Sequence, residues 1–200
     1  MKPIFYILAI ITFSSQLILV APAFSLDIRD RNEYLFDTRG DDGDICLNRL
    51  SLHKKIDKHD IEMSVFGEAQ WSLEIDEWEK LLLGMEAGKY LWQYLYIGQS
   101  LQIISGELLD YMTFDTDSTS IDITTKIALH LPLFLKNLSF YIAEEYSLNL
   151  EKGRDEYCET ISEIIYSPKE LYSIGIGWRH TDRIHTLDTD YVSLSFTVDF

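Results

Sequence analysis

The C-terminal segment 191–200 alternates strictly between polar and apolar side chains. Its apolar members are Val192, Leu194, Phe196, Val198 and Phe200, separated by Ser, Thr and Asp residues. Successive side chains of a β-strand point to opposite faces of the sheet, so this segment forms a strand with one apolar and one polar face. Ten residues is about the length that a tilted strand needs to cross a membrane. A membrane-spanning barrel and a soluble antiparallel sheet both contain strands of this kind.

The same period of two recurs in seven further segments between residues 61 and 183. The clearest runs from Ile121 to Leu133, where Ile and Leu alternate with Asp, Thr, Lys, Ala and His. Segment 77–92 also fits a helical apolar stripe, so its structure stays open between strand and helix. With the terminal strand the count is eight, and an even number of alternating strands is typical of transmembrane barrels.

The connections between these segments alternate in length. Short turns are expected near 89–94, 134–136 and 167–170, where Leu135-Lys136-Asn137 and Ser167-Pro168-Lys169-Glu170 are turn sequences. Segments 105–119 and 183–190 are longer and rich in Asp, Thr and Ser. Short turns on one side and long loops on the other are characteristic of outer-membrane barrels.

The N-terminus has the parts of a secretory signal peptide. One Lys precedes an apolar run from Ile4 to Val20, and Ala21-Pro22-Ala23 supplies a small-residue cleavage site. We therefore expect residues 1–23 to be a cleaved signal peptide and the protein to be exported.

Segment 24–60 is rich in Asp and carries glycines, which predicts an acidic, irregular extension. Its cluster of acidic residues between Asp37 and Asp44 lacks the ligand order of a calcium loop, so no metal site is predicted. The formal net charge of −16 also argues against nucleic acid as a partner.

Together the exported start, the alternating strands and the terminal Phe200 make residues 61–200 resemble the small bacterial outer-membrane β-barrel proteins of the OmpA type. The resemblance implies an all-β, eight-stranded, antiparallel up-and-down barrel in the outer membrane. It also implies contact with outer-membrane lipids and with the barrel-assembly machinery, which would read an assembly signal at Phe196, Val198 and Phe200. Segment 24–60 would then lie in the periplasm and contact other envelope components.

The polar faces of the strands predict a charged lumen. An eight-stranded barrel is just narrow enough for side chains to fill, so these residues are expected to form a structural charge network without cofactors. The predicted function is a structural or surface-interaction role. The network comprises Glu62, Glu68, Glu86, Asp122, Lys126, His130, Glu145, Glu163 and Arg179.

Two alternative functions remain open at this stage. One is a lipid-modifying outer-membrane hydrolase using His180, although Asp182 occupies the position where a Ser two residues away would serve as nucleophile. The other is a secreted soluble β-barrel that binds an apolar ligand, which requires the apolar rows to face inward. No motif indicates an enzyme outright, and Cys46 and Cys158 are expected to remain separate thiols.

Overall fold

The computed structural model describes residues 26–39, 43–56, 60–74, 77–110, 113–183 and 188–200. The expected signal peptide, residues 1–23, lies outside these described residues. The described chain contains ten β-strands: β1 (Asp27–Asp37), β2 (Ile45–Ile56), β3 (Ile61–Ser72), β4 (Glu77–Tyr90), β5 (Leu95–Asp110), β6 (Thr113–Pro132), β7 (Leu138–Asn149), β8 (Arg154–Lys169), β9 (Tyr172–Arg183) and β10 (Thr189–Asp199).

The strands form a closed antiparallel up-and-down barrel. Each strand pairs with its neighbours in sequence, and the ring is closed by β1 and β10, where Arg29 lies opposite Asp199. At this seam Ile28 and Phe200 exchange two backbone hydrogen bonds of 3.3 and 2.8 Å. Ile28, near the start of the described residues, and the C-terminal Phe200 therefore lie at one mouth of the barrel. We call this opening the terminal mouth and the opposite opening the far mouth.

The structure corrects the expected strand number from eight to ten. The two additional strands, β1 and β2, come from segment 24–60, which the sequence predicted to be an irregular periplasmic extension. Of segment 77–92, the residues Glu77–Tyr90 form strand β4 and not a helix, and the outward residues Leu81, Leu83 and Met85 keep the period of two. The expected long loop 105–119 is largely a continuation of β5 and β6.

The barrel has an apolar exterior and a charged interior. Large apolar side chains such as Leu83 and Ile176 point outward and are each 59% exposed, whereas the inward Glu33 and Glu163 are 0% and 1% exposed. A ligand-binding soluble barrel requires the opposite arrangement, so the structure does not favour that alternative. The observed polarity is that of a barrel surrounded by hydrocarbon.

Among the described residues, no helix is long and apolar enough to cross a membrane.

The outer face of β1 and β2 carries several polar residues, unlike the mainly apolar outer face of the other strands. Asn48 donates hydrogen bonds of 2.9 Å to both Asp30 and Asn32, and all three lie on the outward-facing positions of their strands. Because these positions are polar, β1 and β2 lack the apolar–polar alternation that marks the other strands. This explains why the sequence pattern did not reveal them.

Small inward residues on β9 and β10 leave room for long side chains from the neighbouring strands to lie against the lumen wall. A Cβ atom added at Gly175 would overlap the carboxylate of Glu163 and the hydroxyl of Ser195. At Gly67, on the outer face of β3, the nearest atom to an added Cβ is the Leu82 carbonyl oxygen at 4.0 Å.

We therefore expect Gly175→Ala to destabilise the barrel by about 1–3 kcal/mol, since overpacking displaces the Glu163 carboxylate. Gly67→Ala is the matched control and should have little effect. The measurement is the denaturant concentration at which the folded barrel loses its faster gel mobility. Equal midpoints for the two variants would contradict the packing described here.

Candidate functional site: the charged lumen

A chain of alternating charges runs along one side of the lumen at mid-height. Arg31 donates to both carboxylate oxygens of Glu163, at 3.2 and 3.1 Å, and its Nε donates to Glu33 at 3.3 Å. Arg179 donates to Glu33 at 3.1 Å and lies 3.5 Å from Glu159. The chain joins β1, β8 and β9, passing over β10 with its small Ser and Thr side chains. Charges removed from water in this way persist only when they are paired and hydrogen-bonded.

Two further ion pairs flank this chain, one on β2 and β3 and the other on β6 and β7. The Arg49 Nε donates to Glu68 at 2.7 Å, and the Lys126 ammonium lies 2.7 Å from Glu145. The guanidinium of Arg49 also stacks over Phe66, 4.5 Å from the ring centroid. Each pair joins two neighbouring strands, so these charges hold adjacent strands of the wall together as well as occupying space in the lumen.

Charge is distributed unevenly around the ring. The arginines of the cavity lining lie on one arc formed by β9, β10, β1 and β2. Most inward carboxylates lie on the facing arc from β3 to β8, where the lysines Lys80 and Lys126 also stand. We call these the arginine arc and the carboxylate arc. The arginine arc carries Arg29, Arg31, Arg49, Arg179 and Arg183.

A cavity of about 530 Å³ remains between the arcs. Its lining includes Lys80 and Arg183 near the far mouth and Glu62 and Asp199 near the terminal mouth. A single water molecule needs only about 10–15 Å³ of such space. The side-chain-filled lumen expected for eight strands is therefore corrected, because a ring of ten strands is wider.

The nine lumen residues predicted from the sequence all lie on inward-facing positions. Glu68, Lys126, Glu145, Glu163 and Arg179 take part in the ion pairs described above. The other four have polar partners of their own: Glu62 contacts His53, Glu86 accepts from Tyr96, Asp122 accepts from Ser147, and His130 contacts Ser139.

Sequence reasoning missed the partners on β1 and β2. Arg31 and Glu33 belong to the charge chain and Arg49 is the partner of Glu68, but all three lie on strands that were not recognised. The spacing of Arg29, Arg31 and Glu33 at every second residue is the signal that could have revealed them. Glu159 was also missed, although it shares its strand face with Glu163.

The residues of the other predictions lie on the outer face. His180 contacts Asp190 at 2.9 Å and stacks on Trp178, so its ring is bound to a carboxylate and not to a nucleophile. This arrangement does not favour the lipid-hydrolase alternative. Cys46 and Cys158 are free thiols. Phe196 and Phe200, of the expected assembly signal, are 44% and 55% exposed.

In the described part of the chain, no group of three or more His, Cys, Asp or Glu side chains is arranged to hold a metal ion.

A closed antiparallel ring with an apolar belt outside and paired charges inside defines a β-barrel of the outer-membrane type. No protein-family model and no curated protein matches the chain.

Solved membrane-protein structures do resemble it in fold. A structure from work on in-meso crystallization of membrane proteins is 13% identical, with a TM-score of 0.49 over 86% of this chain and 84% of that one. The NanC porin is 8% identical, with a TM-score of 0.45 over 87% and 97% of the two chains. The KdgM porin is 12% identical, with a TM-score of 0.44 over 87% and 99%. With TM-scores below 0.5, these likenesses carry no inference about what the present protein binds or transports.

Breaking the buried charge chain should lower the free energy of unfolding more than breaking an exposed ion pair. Glu33 is 0% exposed and joins Arg31 to Arg179, so Glu33→Ala leaves two guanidinium groups short of a partner. We expect a loss of about 3–5 kcal/mol. The matched control is Asp199→Asn at the exposed Arg29–Asp199 pair, where a loss of about 0–1 kcal/mol is expected. Equilibrium unfolding in urea measures both, and similar losses would show that the chain is not a stabilising unit.

Proposed function

We propose that the mature protein is an outer-membrane β-barrel that forms a narrow aqueous channel for small ions or polar solutes. The observation that carries this proposal is a cavity whose lining includes residues near both the far mouth and the terminal mouth. Its walls are polar and charged, so water and ions are stable inside it while the hydrocarbon outside meets apolar side chains.

The arginine arc and the carboxylate arc suggest which paths cations and anions take through such a channel. Positive charge on the arginine arc faces negative charge on the carboxylate arc, so cations and anions are drawn to different sides of the passage. The fixed ion pairs at mid-height narrow the lumen. A small conductance is therefore expected.

A structural or surface-interaction role without conduction is the competing function. This role is also a proposal. It implies the same location in the outer membrane and the same lipid contacts as the channel function. The two functions differ in one measurable respect, because only the channel passes current.

Paired cysteine variants test conduction from inside and outside the wall. Ser64 lines the cavity, whereas its neighbour Val65 points outward and is 51% exposed. In planar bilayers, a charged thiol reagent should reduce the current through Ser64→Cys because the added group occupies the passage. Val65→Cys should be unaffected.

The native thiols Cys46 and Cys158 face outward, so the unsubstituted protein serves as a second control. Absence of current from correctly folded protein would support the structural role. Equal inhibition of both cysteine variants would contradict conduction through this lumen.

We also propose that Phe200 and the outward residues of β10 act as the signal for the assembly machinery. Support comes from the exposed Phe196 and Phe200 on the last strand, at the seam where the barrel closes. Deletion of Phe200 should lower the amount of barrel in the outer membrane several-fold, measured by fractionation and gel mobility. Phe36→Ala, a change at another outward Phe on β1, is the control. Normal insertion of the truncated chain would contradict the assignment.

A further inference from the structure

The terminal mouth of the lumen holds a Ser–His–Glu constellation. The hydroxyl oxygen of Ser51 lies 2.7 Å from Nε2 of His53, and Nδ1 of the same ring lies 3.1 Å from a carboxylate oxygen of Glu62. Ser51 and His53 are two residues apart on β2, so both point inward, and Glu62 comes from the adjacent β3. All three residues line the cavity.

For a neutral imidazole, the two contacts determine which ring nitrogen of His53 carries the hydrogen. A carboxylate can only accept hydrogen bonds, so Nδ1 of a neutral His53 ring carries the hydrogen that it donates to Glu62. Nε2 is then a lone-pair acceptor, and the short contact with Ser51 requires the hydroxyl to donate. The second contact of this hydroxyl, with the Arg29 carbonyl oxygen, is longer at 3.3 Å.

A hydroxyl that donates to an imidazole, which in turn donates to a carboxylate, is the arrangement that activates a serine nucleophile. From this geometry we infer that Ser51, His53 and Glu62 form a hydrolytic site for small, water-soluble carboxylic esters that enter the lumen. Ser51 is the nucleophile and His53 the general base, while Glu62 is a positioning residue.

The reaction balances with water as the only co-reactant. Ser51 Oγ forms a bond to the ester carbonyl carbon while its proton moves to Nε2 of His53. The carbon–oxygen bond to the alcohol then breaks, and the alcohol leaves with that proton. Water attacks the acyl-serine, gives a proton to Nε2, and the carboxylic acid departs as Ser51 regains its hydrogen.

The surroundings fit this substrate class. Arg29 stands directly opposite Ser51 in the register of β1 and β2, so their Cβ atoms are about 5 Å apart. Arg29 also pairs with Asp199 at 2.6 Å, so a cationic side chain stands on the strand next to the nucleophile, where positive charge favours the negative charge that develops on the ester carbonyl oxygen. The outward residues of β2 in this region are Leu50 and Leu52, so the site opens to the aqueous lumen and not to lipid.

The test uses the full mature barrel in detergent micelles, so its outcome does not depend on whether the barrel conducts. A fluorophosphonate probe labels an activated serine by forming a bond from oxygen to phosphorus with loss of fluoride. Peptide mapping should place the label on Ser51. Hydrolysis of p-nitrophenyl acetate is followed in the same preparation.

Ser51→Ala should abolish labelling and lower the rate of hydrolysis about 100-fold or more. Ser64→Ala is the matched control, because Ser64 lines the same cavity opposite His53 but takes no part in the Ser51–His53–Glu62 contacts. Glu62→Gln should lower kcat with little change in KM, since it misorients the base without removing the nucleophile. Gel mobility confirms that each variant is folded.

Two results would overturn the inference. One is a folded wild-type barrel in which Ser51 takes up no probe. The other is hydrolysis by Ser51→Ala at the wild-type rate, which would place any esterase activity elsewhere.

Discussion

The pairing of Arg31 with Glu163 and Glu33 is the contact on which the interior depends. It joins the first strand to β8 across the two strands that lie between them in the wall. This reach is possible only because β9 and β10 present Gly and Ser toward the lumen. A charge that loses its partner inside a barrel cannot recover hydration easily, so the whole arrangement of long and short side chains is constrained together.

Ring size determines what this interior can do. With two more strands than expected, the lumen keeps a cavity of about 530 Å³ between its side chains. The central charge chain occupies mid-height, and the space on its terminal side holds Ser51, His53 and Glu62. The proposed passage and the proposed hydrolytic site would therefore use different levels of one lumen, since the polar residues that line the cavity also supply donors, acceptors and a base.

The sequence predicted the barrel class, the inward and outward faces of eight strands, and the inward position of nine charged residues. This prediction was possible because alternate residues of a strand lie on opposite faces of the sheet. When one face contacts hydrocarbon, its residues are apolar and the pattern shows in the sequence. The same reasoning failed on β1 and β2, where Asp30, Asn32 and Asn48 occupy outward positions. The Ser51–His53–Glu62 contacts could not be found either, because they depend on the register between two strands of which one was unrecognised.

The seam between Ile28 and Phe200 has a consequence for how the chain acquires its structure. Its partners lie at opposite ends of the sequence, so the first strand keeps an unpaired edge until the last strand arrives. Contacts between distant parts of a chain are slow to form, and exposed strand edges invite aggregation while they wait. The sheet of such a barrel is complete only once β10 has paired with β1, so closure is a property of the whole chain and not of any one hairpin.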